Sequence, residues 1–147
     1  LYLLRGHIYD LNGHSTWVMG GGTSIDRARR TPDFDWFPEE IPSTDELDYG
    51  ETRLDAAGWQ VDLVLTHDAP MSLVAAALNV GSALPNVETH YSSLNMYLEH
   101  IDTWFENLHT DPHWRIKLPH WYLGHYHGDG ALDERHTLVY HDIIEVA

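Results

Sequence analysis

Apolar residues in this chain fall into short runs separated by turn residues, and in two places they recur at helical spacing. Leu1–Leu4 reads as a short strand, and His7–Leu11 and Ser15–Met19 read as a hairpin across Asn12-Gly13. Asn-Gly between two extended runs is a strong hairpin signal, because both residues tolerate the positive φ that a tight turn demands. Gly20-Gly21-Gly22 ends the second strand and permits close backbone approach or a sharp change of direction. A short helical turn is expected at Ser24-Ile25-Asp26-Arg27, with Ser24 as cap. Residues 31–43 interleave three prolines with Phe34, Trp36 and Phe37 and predict an irregular loop whose rings pack back on the domain.

Ser43 and Glu46 have the spacing of a capping box, so a helix is expected from there to about Ala57, with Gly58 as its stop. Val61–Leu65 is an almost unbroken apolar run and predicts a strand buried on both faces. A short helix over Met71–Ala77 should follow Pro70, and residues 79–91 are rich in turn formers. Leu94, Tyr97, Leu98, Ile101, Phe105 and Leu108 share one face of a helix near 92–108, capped by Ser92 or Ser93. Trp121–Leu123 predicts a strand, a glycine-flanked loop follows, and Leu138–Val146 reads as a closing strand. Strands first, then helices alternating with strands, point to one α/β or α+β layered domain over residues 1–147.

Composition narrows the chemistry. With 43% hydrophobic residues in 147, a packed core is expected rather than disorder. The absence of cysteine excludes disulfides, thiolate metal sites and thiol catalysis. A formal net charge of −15 argues against a surface that coats nucleic acid or an anionic membrane. A phosphorylated substrate stays compatible with that charge if bound cations reverse the local field. No apolar stretch has the length of a membrane span and no signal peptide is evident, so a cytoplasmic location is expected.

Two histidine strings stand out: Thr66-His67-Asp68-Ala69-Pro70 and Gly124-His125-Tyr126-His127. Each directly follows an apolar run of strand character, and strand ends can bring imidazoles from distant segments to one metal. The other histidines, His7, His14, His90, His100, His109, His113, His120, His136 and His141, read singly as surface or hydrogen-bonded structural residues. Among weaker candidates, Arg27, Arg29 and Arg30 suit either phosphate or nearby Asp33, Asp35, Glu39 and Glu40. Asp26 reads as a structural residue, Asp129 as a turn residue or a support for a metal ligand, and Trp36 and Phe37 as loop packing or a cleft wall.

The joint pattern, strand-THxxP then strand-GHxH, resembles the calcineurin-like metallophosphoesterase superfamily. The resemblance extends to Leu4-Arg5-Gly6-His7, to Gly21-Gly22-Thr23-Ser24-Ile25-Asp26, to Trp36-Phe37-Pro38-Glu39-Glu40 and to the closing segment, as in bacterial and phage members. It implies a two-sheet sandwich flanked by helices, of which this chain would be the C-terminal part. It implies His67 and His125 as ligands of one divalent metal (Mn, Fe or Zn) and His127 as a ligand of a second. The implied reaction is phosphoester hydrolysis by a metal-bridging hydroxide.

The family's earlier motifs, Asp-x-His, Gly-Asp with a metal-bridging Asp, and Gly-Asn-His, would precede the matched strings, and none of them occurs ahead of Thr66. No catalytic residue is therefore assigned, and His7 in Arg-Gly-His is read as an ordinary strand residue. The expected partners are a phosphorylated substrate and either a second copy of the chain or a complementing N-terminal segment. The competing expectation is a non-catalytic remnant or a metal-binding interaction module.

Overall fold

The computed structural model describes residues 2–23, 30–81 and 91–146. The expected turn at Ser24–Arg27 therefore lies outside the described residues, as do Arg29 and His90. The elements are β1 (Ile8–Leu11), β2 (His14–Met19), α1 (Thr44–Ala56), β3 (Leu63–Thr66), α2 (Val74–Val80), α3 (Ser93–Thr110), β4 (His120–Leu123), β5 (Gly130–Ala131) and β6 (His136–Leu138). They build a mixed α/β structure with a six-stranded sheet ordered β1-β2-β3-β4-β6-β5. Strands β2, β3, β4 and β6 are parallel neighbours, while β1 and β5 are antiparallel edges.

Local sequence explains most of these elements. Asn12 (φ 55°) and Gly13 (φ 88°) form the β1–β2 turn with the positive dihedrals that the tight hairpin needs. The Gly13 N–H donates to Asp10 Oδ1 at 2.7 Å. α1 starts on the expected Ser43/Glu46 capping box, and α3 starts on Ser92, with Asn95 as the reciprocal partner. The short helix after Pro70 is a 3-10 turn, Met71–Leu73, running into α2.

Topology decides which side of the sheet is covered. The chain steps β2→β3 through α1 and β3→β4 through α2 and α3, always in the same direction across the sheet. Parallel crossovers are right-handed almost without exception, so successive steps in one direction lay their helices on one face. That face carries the row Trp17–Val64–Trp121–His136, in register across four strands. With Met19, Leu123 and Leu138 it packs on Leu54 of α1, Val74 and Ala77 of α2, and Leu94, Leu98, Ile101 and Phe105 of α3. Each large apolar side chain buried here contributes about 1.5 to 3 kcal/mol. β6 is tied to α3 by charge: Arg135 pairs with Asp102 and Glu106, and buried His136 lies 2.8 Å from Asp133 and 3.5 Å from Asp102.

The opposite face presents the rows Thr16–Leu63–His120 and Val18–Leu65–Tyr122–Thr137. No helix of the described residues contributes to a core there. Val18 and Leu63 are buried but lie outside the hydrophobic cluster. Ile144 and Val146 line a groove of about 380 Å³ with Leu65, Tyr122 and Val139.

Several expectations need correction. Residues 2–4 join no strand. Leu65 is only half-buried, so β3 is not covered on both faces. Of the loop rings, Trp36 is buried, but Phe34 and Phe37 are exposed. His7 precedes β1, its Nδ1 within 3.0 Å of the Arg5 carbonyl and its Nε2 3.3 Å from the Tyr49 hydroxyl. The closing strand is short: β6 ends at Leu138, and residues 139–146 are irregular. The cause is Asp129, whose Oδ1 accepts the N–H groups of Tyr140 (2.6 Å), His141 (3.0 Å) and Asp142 (3.1 Å). Three successive amides turned toward one carboxylate cannot extend a ladder. Asp129 is thus a turn residue.

Gly6, at φ 73°, sits where a Cβ would lie 2.8 Å from the Cα of Gly50 in α1. Gly6→Ala should combine left-handed strain with a backbone clash and cost about 2 kcal/mol or more. Thermal unfolding should show a loss of about 4 to 8 °C; an unchanged midpoint would mean that this contact does not anchor α1.

Candidate metal centre

The parallel register of β3 and β4 (Leu63↔His120, Val64↔Trp121, Leu65↔Tyr122) brings the C-terminal ends of the two strands side by side. In open α/β sheets that end is where ligand sites form. His67 follows β3 and His125 follows β4 by one further residue, Gly124. The Gly124 N–H donates to the His67 carbonyl at 3.2 Å and closes the gap between the loops. The Thr66 hydroxyl donates to the Asp68 carbonyl (2.6 Å) and accepts from the Trp121 indole (2.9 Å), which fixes the turn that His67 rides on.

His67 Nε2 and His125 Nδ1 face each other at 3.0 Å, with their rings 74° apart. Two bare lone pairs at that distance repel, so either one nitrogen carries a proton or both point at one cation. Two nitrogens each about 2.1 Å from one ion, at angles between octahedral and tetrahedral, lie about 3.0 to 3.4 Å apart. The observed separation fits either arrangement. Packing around the ring pushes His67 below the ordinary histidine value of 6.5, and His125 and then His127 push the same way, against Asp68 and Glu40. The direction of the shift favours the neutral ring, the form that can offer a lone pair.

The loop that carries His125 is strained. Tyr126 N–H donates to Gly124 O at 2.8 Å across His125, whose φ is 68°. This is the rare, positive-φ form of the γ-turn. His127, at φ 53°, is a second non-glycine residue in the left-handed region. Such positions cost about 1 to 3 kcal/mol each and persist only where surrounding structure holds them. The His127 ring stacks on Tyr140 at 4.6 Å and 17°. Gly22 explains the glycine run: a Cβ there would lie 3.0 Å from His67 Cδ2 and 3.4 Å from His125 Nδ1. The backbone thus passes directly against both imidazoles, and the Gly22 N–H donates to Glu40 O at 3.2 Å.

Of the three expected ligands, His67 and His125 meet. The His127 ring stacks on Tyr140, and the three imidazoles do not form one ligand group. Among the described residues, no three His, Asp or Glu side chains converge tightly enough to hold an ion. Arg30 donates to the Asp35 carbonyl at 3.1 Å, while Arg27 and Asp26 lie outside the described residues. Several other histidines have structural partners: His100 with Glu51, His109 with the Ile116 carbonyl, and His120 with Thr137.

Sequence reasoning missed the buried polar cluster under the pair. Asp68, Asn95 and Tyr126 are all nearly inaccessible. The available signals were weak: an Asn on the apolar face of α3, and a Tyr between two histidines.

Comparison with known proteins finds no matching family model, no matching curated protein and no matching solved structure.

A pH titration of the metal-free chain, followed by imidazole NMR, should place the His67 midpoint below 6.5. The unfolded chain then binds more protons between the two midpoints, so stability should fall as pH drops from the unfolded value through the folded one. A midpoint at or above the ordinary value would show that the ring is not held neutral.

Proposed function

We propose that this chain is the C-terminal part of a calcineurin-like metallophosphoesterase domain, acting on phosphate esters with divalent metal ions. One observation carries the reading: imidazoles from the THxxP and GHxH strings stand 3.0 Å apart at the ends of adjacent parallel strands. His67 and His125 would hold one ion, and His127 would belong to a second. Bound Mn, Fe or Zn would supply positive charge for phosphoryl oxygens and acidify a water molecule. The chain's own contribution is to favour the neutral form of His67, to aim His125 at it, and to bring the Gly22 backbone against both rings.

In the same reading the six-stranded sheet is one layer of a two-sheet sandwich. Its helix-free face, with Val18, Leu63, Leu65 and Tyr122, is the side on which a second sheet would pack. That sheet, and the acidic ligands, would come from a preceding segment or a partner chain. The substrate is a phosphorylated molecule and the setting cytoplasmic. No helix among the described residues is long and apolar enough to cross a membrane.

The scarcity of converging ligands among the described residues favours a second reading for the chain by itself: a metal-binding interaction module without turnover. Titration calorimetry with Mn²⁺, Co²⁺ and Zn²⁺ tests the metal site that both readings share. The expected result is one ion bound per chain, with affinity reduced at least about tenfold in His67→Ala and His125→Ala and unchanged in His100→Ala. Without the complementing segment, p-nitrophenyl phosphate and its bis-ester should not turn over. Binding of none of these ions would contradict the metal reading in both forms.

A further inference from the structure

Directly under the histidine pair the chain buries a carboxylate that no proposed metal chemistry uses. Asp68 is 2% exposed. Its Oδ1 accepts from the Ala69 N–H (2.8 Å), Asn95 Nδ2 (2.8 Å) and the Tyr126 hydroxyl (2.6 Å). Asn95 Nδ2 also donates to the Ala69 carbonyl at 2.8 Å, and Asn95 Oδ1 accepts from the N–H and hydroxyl of Ser92, the cap of α3. One carboxylate oxygen therefore joins three segments: the turn after β3, the loop after β4, and the first turn of α3.

Placement gives this cluster its meaning. Asp68 is the neighbour of His67, and Tyr126 lies between His125 and His127, the two residues at positive φ. The Tyr126 ring meets the His125 ring edge-on at 5.0 Å. Its N–H closes the strained turn on Gly124, while its hydroxyl is anchored in the core. Tyr126 is thus pinned at both ends, and the dihedrals of the flanking histidines follow from where it is pinned. Three donors on one buried oxygen fix its position from three directions, so the anchor suits a strained loop.

We propose that Asp68 and Tyr126 are positioning residues, which together hold the loop after β4 in the conformation that aims His125 Nδ1 at His67 Nε2. The purpose of this device rests on the metal reading above, but the geometric claim does not. It predicts that removing the one hydroxyl that donates to Asp68 misaligns the pair.

The test uses the full chain, labelled with ¹⁵N-histidine, as wild type, Tyr126→Phe and Asp68→Asn. In the metal-free protein, the imidazole signals of His67 and His125 should move in Tyr126→Phe, while those of His7 and His100 stay in place. The Co²⁺ affinity of Tyr126→Phe should fall about 10- to 100-fold. Asp68→Asn, which keeps an acceptor oxygen, should lose less. Unchanged imidazole signals and unchanged Co²⁺ affinity in Tyr126→Phe would overturn the proposal, even if the melting temperature drops, because the cluster would then serve packing alone. If Tyr126→Phe does not fold, Asp68→Asn decides by the same two readouts. A wild-type chain that binds no Co²⁺ would count against the metal reading, and the imidazole shifts would still decide the positioning claim.

Discussion

The register between β3 and β4 is the constraint on which the site depends. Val64 pairs with Trp121 and both enter the core, so the two strands end level and their following loops leave side by side. A slip of one residue would turn every β4 side chain to the other face. Trp121 would leave the core, and its indole would lose the Thr66 hydroxyl that steadies the His67 turn. Core packing and site geometry are therefore enforced by the same residues.

The uneven covering of the sheet follows from the order of its strands. Crossovers that always step in one direction place α1, α2 and α3 on one face and leave the other to loops and the C-terminal segment. Asp129 adds to this by collecting the amides of Tyr140, His141 and Asp142, which stops β6 from lengthening. The same turn brings Tyr140 to stack on His127. A single aspartate thus shapes both the bare face and the third histidine.

Much of the fold was legible in the sequence because its signals are local. The Asn12-Gly13 turn, the Ser43/Glu46 box and the apolar face of α3 each depend on residues a few positions apart. The meeting of the two histidine strings was expected from a repeated pattern, a strand followed by histidines, and the choice of His67 with His125 from the family resemblance; of the two readings of the glycine run, close approach or change of direction, Gly22 shows the close approach. What escaped reading depends on contacts across long sequence separations. Leu138–Val146 has the composition of a strand, yet a carboxylate about ten residues upstream captures its amides. Asp68 looks like part of a histidine motif, and only the fold reveals that Asn95 and Tyr126 donate to it. The positive φ of His125 and His127 likewise has no local sequence signal, since neither is glycine.

Crystals grown with Co²⁺ or Zn²⁺ and measured across the metal's absorption edge test the central claim most directly. The account predicts an anomalous peak about 2.1 Å from both His67 Nε2 and His125 Nδ1. A peak placed elsewhere, or the two rings turned away from each other in a chain that has bound metal, would contradict it.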